Sequence, residues 1–235
     1  MGQDIVKLQE LDARNEDGEE KITVMVSSSV NGFEDQLNGI EAMLNSWGYE
    51  VWMSKSGTIK VNPHLHNFDN CLKAVEECDL FLGIIRLDCG TGREADGCVT
   101  FEEFKKAREL NKPCWFIVDS RLKHYRDLMK VLELREYPLT HDEDLNDFMK
   151  GYYDRKVRNR EKLPIVGKLY KSKDVHKFDP LCFEMEDFVN HKGEKKENII
   201  NNWMQYCDGL IDIQKYLSAN FGNKKFIKDI LKGII

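Results

Sequence analysis

Residues 79–85 read Asp-Leu-Phe-Leu-Gly-Ile-Ile, an apolar run in which polar and apolar positions do not alternate. A strand with one wet face alternates; a short, uniformly apolar run fits a strand covered on both sides, as in a parallel sheet sandwiched by helices. Such a sheet needs crossover helices, so this one segment predicts strands and helices in alternation on either side of it.

The chain supplies that alternation. Ile22–Val26 is β-branched and opens into Ser27-Ser28-Ser29, which predicts a strand feeding a polar loop. Apolar positions 33, 37, 40, 44 and 47 then follow one helical face, and Gly48 stands where a left-handed cap ends it. Tyr49–Met53 predicts a second strand and Asn67–Cys78 a second helix. The run at 79–85 is the third strand, followed by a helix from Thr100 to about Leu110. Pro113–Val118 is the fourth strand, and Ser120 to about Glu136 the next helix. The fold class expected is α/β, a flavodoxin-like doubly wound parallel sheet whose ligands bind beyond the carboxyl ends of the strands. The ends are Ser27–Gly32, Ser54–His66, Arg86–Val99 and Asp119–Arg121.

The flanks differ. Residues 1–20 carry seven acids against two bases and read as an acidic arm. Residues 21–150 form the α/β domain, and 151–235 an irregular extension packed on it. In that extension Phe178–Val189 reads as part strand, part loop, and two amphipathic helices, Leu210–Phe221 and Phe226–Ile234, close the chain against the edge of the sheet.

Charge and cysteine content narrow the partners. A net charge of −6 offers no whole-chain attraction to nucleic acid or an anionic membrane. No apolar run approaches the ~18–20 residues of a membrane span, and the first residues lack the basic-then-apolar order of a signal peptide, so the expected setting is cytoplasmic. Seven scattered cysteines without a C-x-x-C pair read as reduced, mostly buried thiols rather than a metal site, and His64 and His66 as plain loop histidines. Residues 151–177 hold nine Lys/Arg against three acids with interleaved tyrosines, a pattern of nucleic-acid contact or of a solvated excursion. The second reading is preferred.

No phosphate loop, dinucleotide fingerprint, nucleophile elbow or H-E-x-x-H is present. What remains is a polar crevice with one notable acid. Glu102 shares its helix face with Lys105 and Lys106 and belongs to a solvated ion-pair face. Glu103 instead falls on the stripe Val99, Glu103, Ala107, Leu110, which places a carboxylate inward in the first turn of a helix. The helix dipole favours its charge and burial opposes it, so it serves either as a structural hydrogen-bond partner or in chemistry. Ser27, Ser28 and Ser29 offer hydroxyls and turn N–H groups to a ribose or phosphate, or simply form a turn. In the loop Asp88-Cys89-Gly90-Thr91-Gly92 the glycines allow close backbone approach and Asp88 can grip a sugar diol, or the stretch is only a flexible loop.

Three stretches, ITVMVSSSVNGFEDQLNGIEAML, CLKAVEECDLFLGIIRLDCGTG and VTFEEFKKARELNKPCWFIV, resemble a bacterial TIR-like domain of unknown function. That domain occurs at the N-terminus of STAND-type defence ATPases and is distantly similar to TIR domains and nucleoside 2-deoxyribosyltransferases. The resemblance covers about Lys21 to Glu136. It implies a crevice that cleaves the N-glycosidic bond of NAD or a related nucleotide, by hydrolysis or cyclisation, in antiviral or stress signalling. Glu103 matches the carboxylate used there; Ser27, Ser28, Ser29, Asp88, Gly90 and Thr91, taken from the residue pattern, are the candidate nucleotide-binding residues. No metal or resident cofactor is implied, with NAD entering as substrate. The implied partners are a second copy of the chain or a defence-system protein. Many such domains are silent adaptors, and that alternative predicts an interaction module without turnover. The loop Gly92–Val99 departs from the compact deoxyribosyltransferase turn, and no second acid is identified.

Overall fold

The computed structural model describes residues 21–90, 98–131, 181–191 and 203–233. The acidic arm, the basic stretch 151–177 and Thr91 lie outside the described residues. In chain order the elements are β1 (Thr23–Ser28), α1 (Glu34–Ser46), β2 (Glu50–Trp52), α2 (Asn67–Glu77), β3 (Leu80–Ile85) and α3 (Val99–Glu109). They continue with β4 (Cys114–Asp119), α4 (Ser120–Val131), α5 (Leu181–Val189), β5 (Trp203–Cys207), α6 (Leu210–Phe221) and α7 (Lys224–Leu231).

The five strands form one sheet in the order β2-β1-β3-β4-β5, and every pairing is parallel. This is the flavodoxin-like doubly wound order, with its switch point between β1 and β3. Each inner strand deals its side chains alternately to two cores. Val24, Val26, Leu80, Leu82, Ile84, Trp115 and Ile117 face α1, α6 and α7. Met25, Phe81, Ile85, Phe116 and Val118 face α2, α3, α4 and α5. Both faces of β3 are therefore dry, which is why its sequence has no polar alternation.

On the second face the rings of Phe81 and Phe104 meet edge to face at 5.7 Å, and Phe104 meets Phe116 at 5.1 Å. Burying such a ring contributes about 1.5–3 kcal/mol each. Gly83 makes room for them: a Cβ on it would lie 2.6 Å from the Phe116 ring and 2.8 Å from Phe104.

The structure departs from the sequence expectations at four places. The first strand runs on through Ser27 and Ser28, which pair with Gly83 and Ile84, so two of the three serines belong to the sheet rather than to a loop. The stretch expected as part strand, part loop is helical over Leu181–Val189. A fifth strand that the apolar pattern did not announce, Trp203–Cys207, extends the sheet beyond β4. The closing helices cover a face rather than an edge: Ile213, Leu217, Phe221 and Ile227 are buried in the first core. There the Tyr49 hydroxyl donates to the Phe221 carbonyl at 2.7 Å and pins the end of α6.

Candidate functional site

The carboxyl ends of β1 and β3 enclose a cleft of about 380 Å³. Ser27, Ser28 and Ser29 form one wall, Asp88 and Gly90 a second, and Cys71 of α2 and Glu103 of α3 line it further in. The sequence-derived residues thus converge, Thr91 aside, at the switch point where doubly wound sheets bind ligands.

Glu103 is placed by its helix. Cys98 caps the start of α3 without a side-chain bond, and Phe101, Phe104 and Ala107 bury the same side of the helix in the core. Position 103 is thereby turned toward the sheet, and its side chain is only 4% exposed. Glu102, one step round, is paired with Lys105 at 2.7 Å as expected. Lys106 is engaged elsewhere, with Glu76 of α2 at 3.0 Å and with Glu109.

The Ser27 hydroxyl donates to Glu103 Oε2, and the Cys71 thiol donates to the same carboxyl. Burial pushes the Glu103 carboxyl up to about 7, and these two hydrogen bonds hold it from going higher. The same arrangement pushes the Cys71 thiol up to about 12, first by burial and then by the neighbouring Glu103 charge. Cys71 is the one cysteine that is only half-buried; the other six are buried, and all seven are free thiols.

The walls have distinct supports. The Ser28 hydroxyl bonds the Ser29 carbonyl at 2.9 Å. Asp88 accepts the Gly90 N–H at 2.6 Å, closing a tight turn, and Gly90 adopts φ +84°. A Cβ on Gly90 would come within 3.3 Å of the Ser29 side chain, so glycine lets the β3 loop lie directly against the β1 loop. Arg86 straps these loops from behind, its Nη1 donating to the Asn31 carbonyl at 2.8 Å. The loop after β2 is fixed by buried Asn70, which accepts the Asn62 N–H at 2.8 Å and donates to the Asn62, Leu65 and His66 carbonyls.

Cys71, Ser54 and Asn31 also line the cleft, and sequence reasoning missed them as site residues. Cys71 had a usable signal: it lies on the inward stripe of its helix one turn from the amino end, as Glu103 does on α3. His66 accepts the Phe68 N–H at the start of α2, a structural role consistent with a loop histidine. Among the described residues no cluster of His, Cys, Asp and Glu could hold a metal ion. None of their helices is long and apolar enough to cross a membrane.

A family model described as a domain of unknown function, DUF4062, matches residues 23–163, more than half of the chain. The chain belongs to the DUF4062 family. The match takes in β1 to β4 and therefore every wall of the cleft, whereas α5, β5, α6 and α7 of this DUF4062 protein lie beyond it. No curated protein matches the chain.

Proposed function

We propose that this DUF4062 protein is a TIR-like nucleotide N-glycosidase acting on NAD or a related nucleotide in bacterial antiviral or stress signalling. The observation that carries the reading is the place of Glu103: a carboxyl only 4% exposed that lines the inner end of an open cleft, its pKa raised by burial. The cleft volume falls within the ~300–1,000 Å³ of small-molecule sites, enough for a ribose and its substituents.

The chemistry suits one carboxylate. As the bond between C1′ and the base nitrogen breaks, its electron pair leaves with the base and positive charge develops on the ribose. The ionised Glu103 stabilises that oxocarbenium-like centre or traps it as an ester. Water then completes hydrolysis, or a ring nitrogen of the dinucleotide's other base, still attached to the ribosyl fragment, attacks C1′ and completes cyclisation as the first base departs. The Ser27 hydroxyl keeps one carboxyl oxygen turned toward the strand end. Ser28, Ser29, Asp88 and the Gly90 backbone are the groups available to ribose hydroxyls and phosphate.

The purified protein, alone and with crowding agents that promote assembly, is expected to release nicotinamide from NAD, and Glu103→Gln to abolish release while the circular dichroism spectrum is retained. Absence of release under every assembly condition overturns the enzyme reading and leaves the adaptor alternative. Turnover retained in Glu103→Gln moves the chemistry to another residue.

A further inference from the structure

A second cavity, of about 250 Å³, opens at the carboxyl ends of β3, β4 and β5, outside the Glu103 cleft. Its lining includes Gln36, Arg86, Ser120, Arg121, His124 and Gly209. None of these residues lines the first cleft.

Arg86 is its unusual member. The side chain is only 11% exposed, with the guanidinium 4.6 Å from the centre of the Phe33 ring. Its Nη1 donates to the Asn31 carbonyl and, at 3.4 Å, to the Ser29 carbonyl and hydroxyl. All of these acceptors are neutral. The nearest carboxylate, Asp88, stands at 4.0 Å, the limit of an ion pair. Among the described residues, Arg86 Nε is the one buried side-chain polar atom with no hydrogen-bond partner. A buried cation whose hydrogen bonds all go to neutral acceptors, with an orphaned N–H and its ion pair to Asp88 stretched to 4.0 Å, is poorly compensated, a state that costs free energy unless an anion joins it. Burial accordingly lowers the Arg86 pKa.

The surroundings favour an anion as well. α1, α4 and α6 all begin at this cavity, and the caps of α1 and α6, Phe33 and Gly209, make no side-chain cap bond. First-turn N–H groups of α1 and α6 and the positive dipole ends of these two helices therefore converge on one volume, whereas the start of α4 is already capped by Asp119, which accepts the Arg121 N–H at 3.0 Å. The two acids present are already engaged: Asp119 is gripped by Arg121, Nε to Oδ1 at 2.9 Å and Nη2 to Oδ2 at 2.7 Å, and Asp208 accepts from the Ser120 hydroxyl. We propose that this second cavity is a binding site for a phosphoryl oxyanion, with Arg86 as its central cation. Guanidinium suits that role because its fork matches phosphate oxygens.

The test is binding without turnover, so it stands whether or not the Glu103 cleft is an enzyme site. Titration calorimetry of the full chain with inorganic pyrophosphate and with ADP is expected to give saturable 1:1 binding that weakens as salt rises. Equal affinity for the two probes identifies an inorganic ligand, and tighter binding of ADP a nucleotide; either result supports the site when the variant at Gln36, which lines this cavity and not the Glu103 cleft, weakens it. Arg86→Met is expected to weaken binding about tenfold or more. Because Arg86 also straps the Ser29–Asn31 loop, Gln36→Glu is the second variant: it adds a negative charge at the cavity from a helix surface and is expected to weaken binding while the melting curve is retained. Absence of saturable binding by either probe, or binding that Gln36→Glu leaves unchanged, overturns the proposal.

Discussion

Ser27 on the first strand and Glu103 on the third helix, 76 residues apart, are joined by a hydroxyl-to-carboxylate hydrogen bond at the inner end of the cleft. The pairing of Ser27 with Gly83 in the sheet sets the height of the hydroxyl, and the inward stripe of α3 sets the carboxyl. Glu103 is thus both tied to its scaffold and presented to the cleft, and the two roles make different demands on its proton.

The first prediction concerns stability against pH. The carboxyl titrates at about 7 folded against 4.5 unfolded, so between those values the native state binds the proton and the unfolded state does not. Its stabilising effect is complete below 4.5 and is lost as pH rises through 7, a swing of about 3 kcal/mol. Glu103→Gln, which cannot ionise, is expected to unfold at higher urea than the wild type at pH 8, with the advantage fading toward pH 5. A difference independent of pH contradicts the shifted carboxyl.

The second concerns turnover. If the ionised carboxylate stabilises the ribosyl cation, kcat/KM rises with pH along a limb near 7. Ser27→Ala and Cys71→Ala each remove a bond that favours the ionised form, so each is expected to move the limb to higher pH. Measured pH–rate profiles that superimpose on the wild type refute the positioning role of both side chains.

Gly83→Ala tests the packing of the central strand. The added methyl would overlap the rings of Phe116 and Phe104, which are themselves enclosed, so the expected loss is about 1–3 kcal/mol. A lower urea midpoint with an unchanged slope is the signature; an unchanged midpoint shows that the rings can shift aside.

Arg126→Met tests the junction of α4, α5 and β5. Glu186 is 1% exposed and accepts from Arg126 Nε and from the Tyr206 hydroxyl, while Arg126 Nη2 reaches Asp187 at 2.6 Å and the Phe183 carbonyl at 2.7 Å. Losing the cation leaves a buried carboxylate with one neutral donor, at an expected cost of about 3–5 kcal/mol. The double variant Arg126→Met, Glu186→Gln is expected to recover part of that loss, and thermal melts of the pair of proteins check both statements.

The parts of the fold legible in the sequence are those where one element's own periodicity carries the information. β3 was readable because it is dry on both faces, and Glu103 because a lone acid interrupts an inward stripe. β5 was not: Met204, Gln205 and Tyr206 form a short, partly exposed edge without an apolar run, and the strand exists because β4 offers it a ladder. α5 was missed because Glu184, Glu186 and Asp187 interrupt its apolar run, and Glu186 is tolerated inside through Arg126, sixty residues earlier, and the Tyr206 hydroxyl. The two serines in β1 escaped for a related reason, since their partners Gly83 and Ile84 lie in another strand. The cavity around Arg86 is assembled from four separate stretches of chain and has no local signature.

The late arrival of β5 bears on how the molecule is cut. The family boundary at residue 163 falls between β4 and the strand that completes its ladder. A fragment trimmed to that boundary keeps every side chain of the Glu103 cleft but exposes the backbone of β4 as a raw margin and strips α6 and α7 from the apolar surface they cover. Such margins recruit strands from other molecules, so the trimmed piece invites clumping, and the working unit for expression runs on through the final helix.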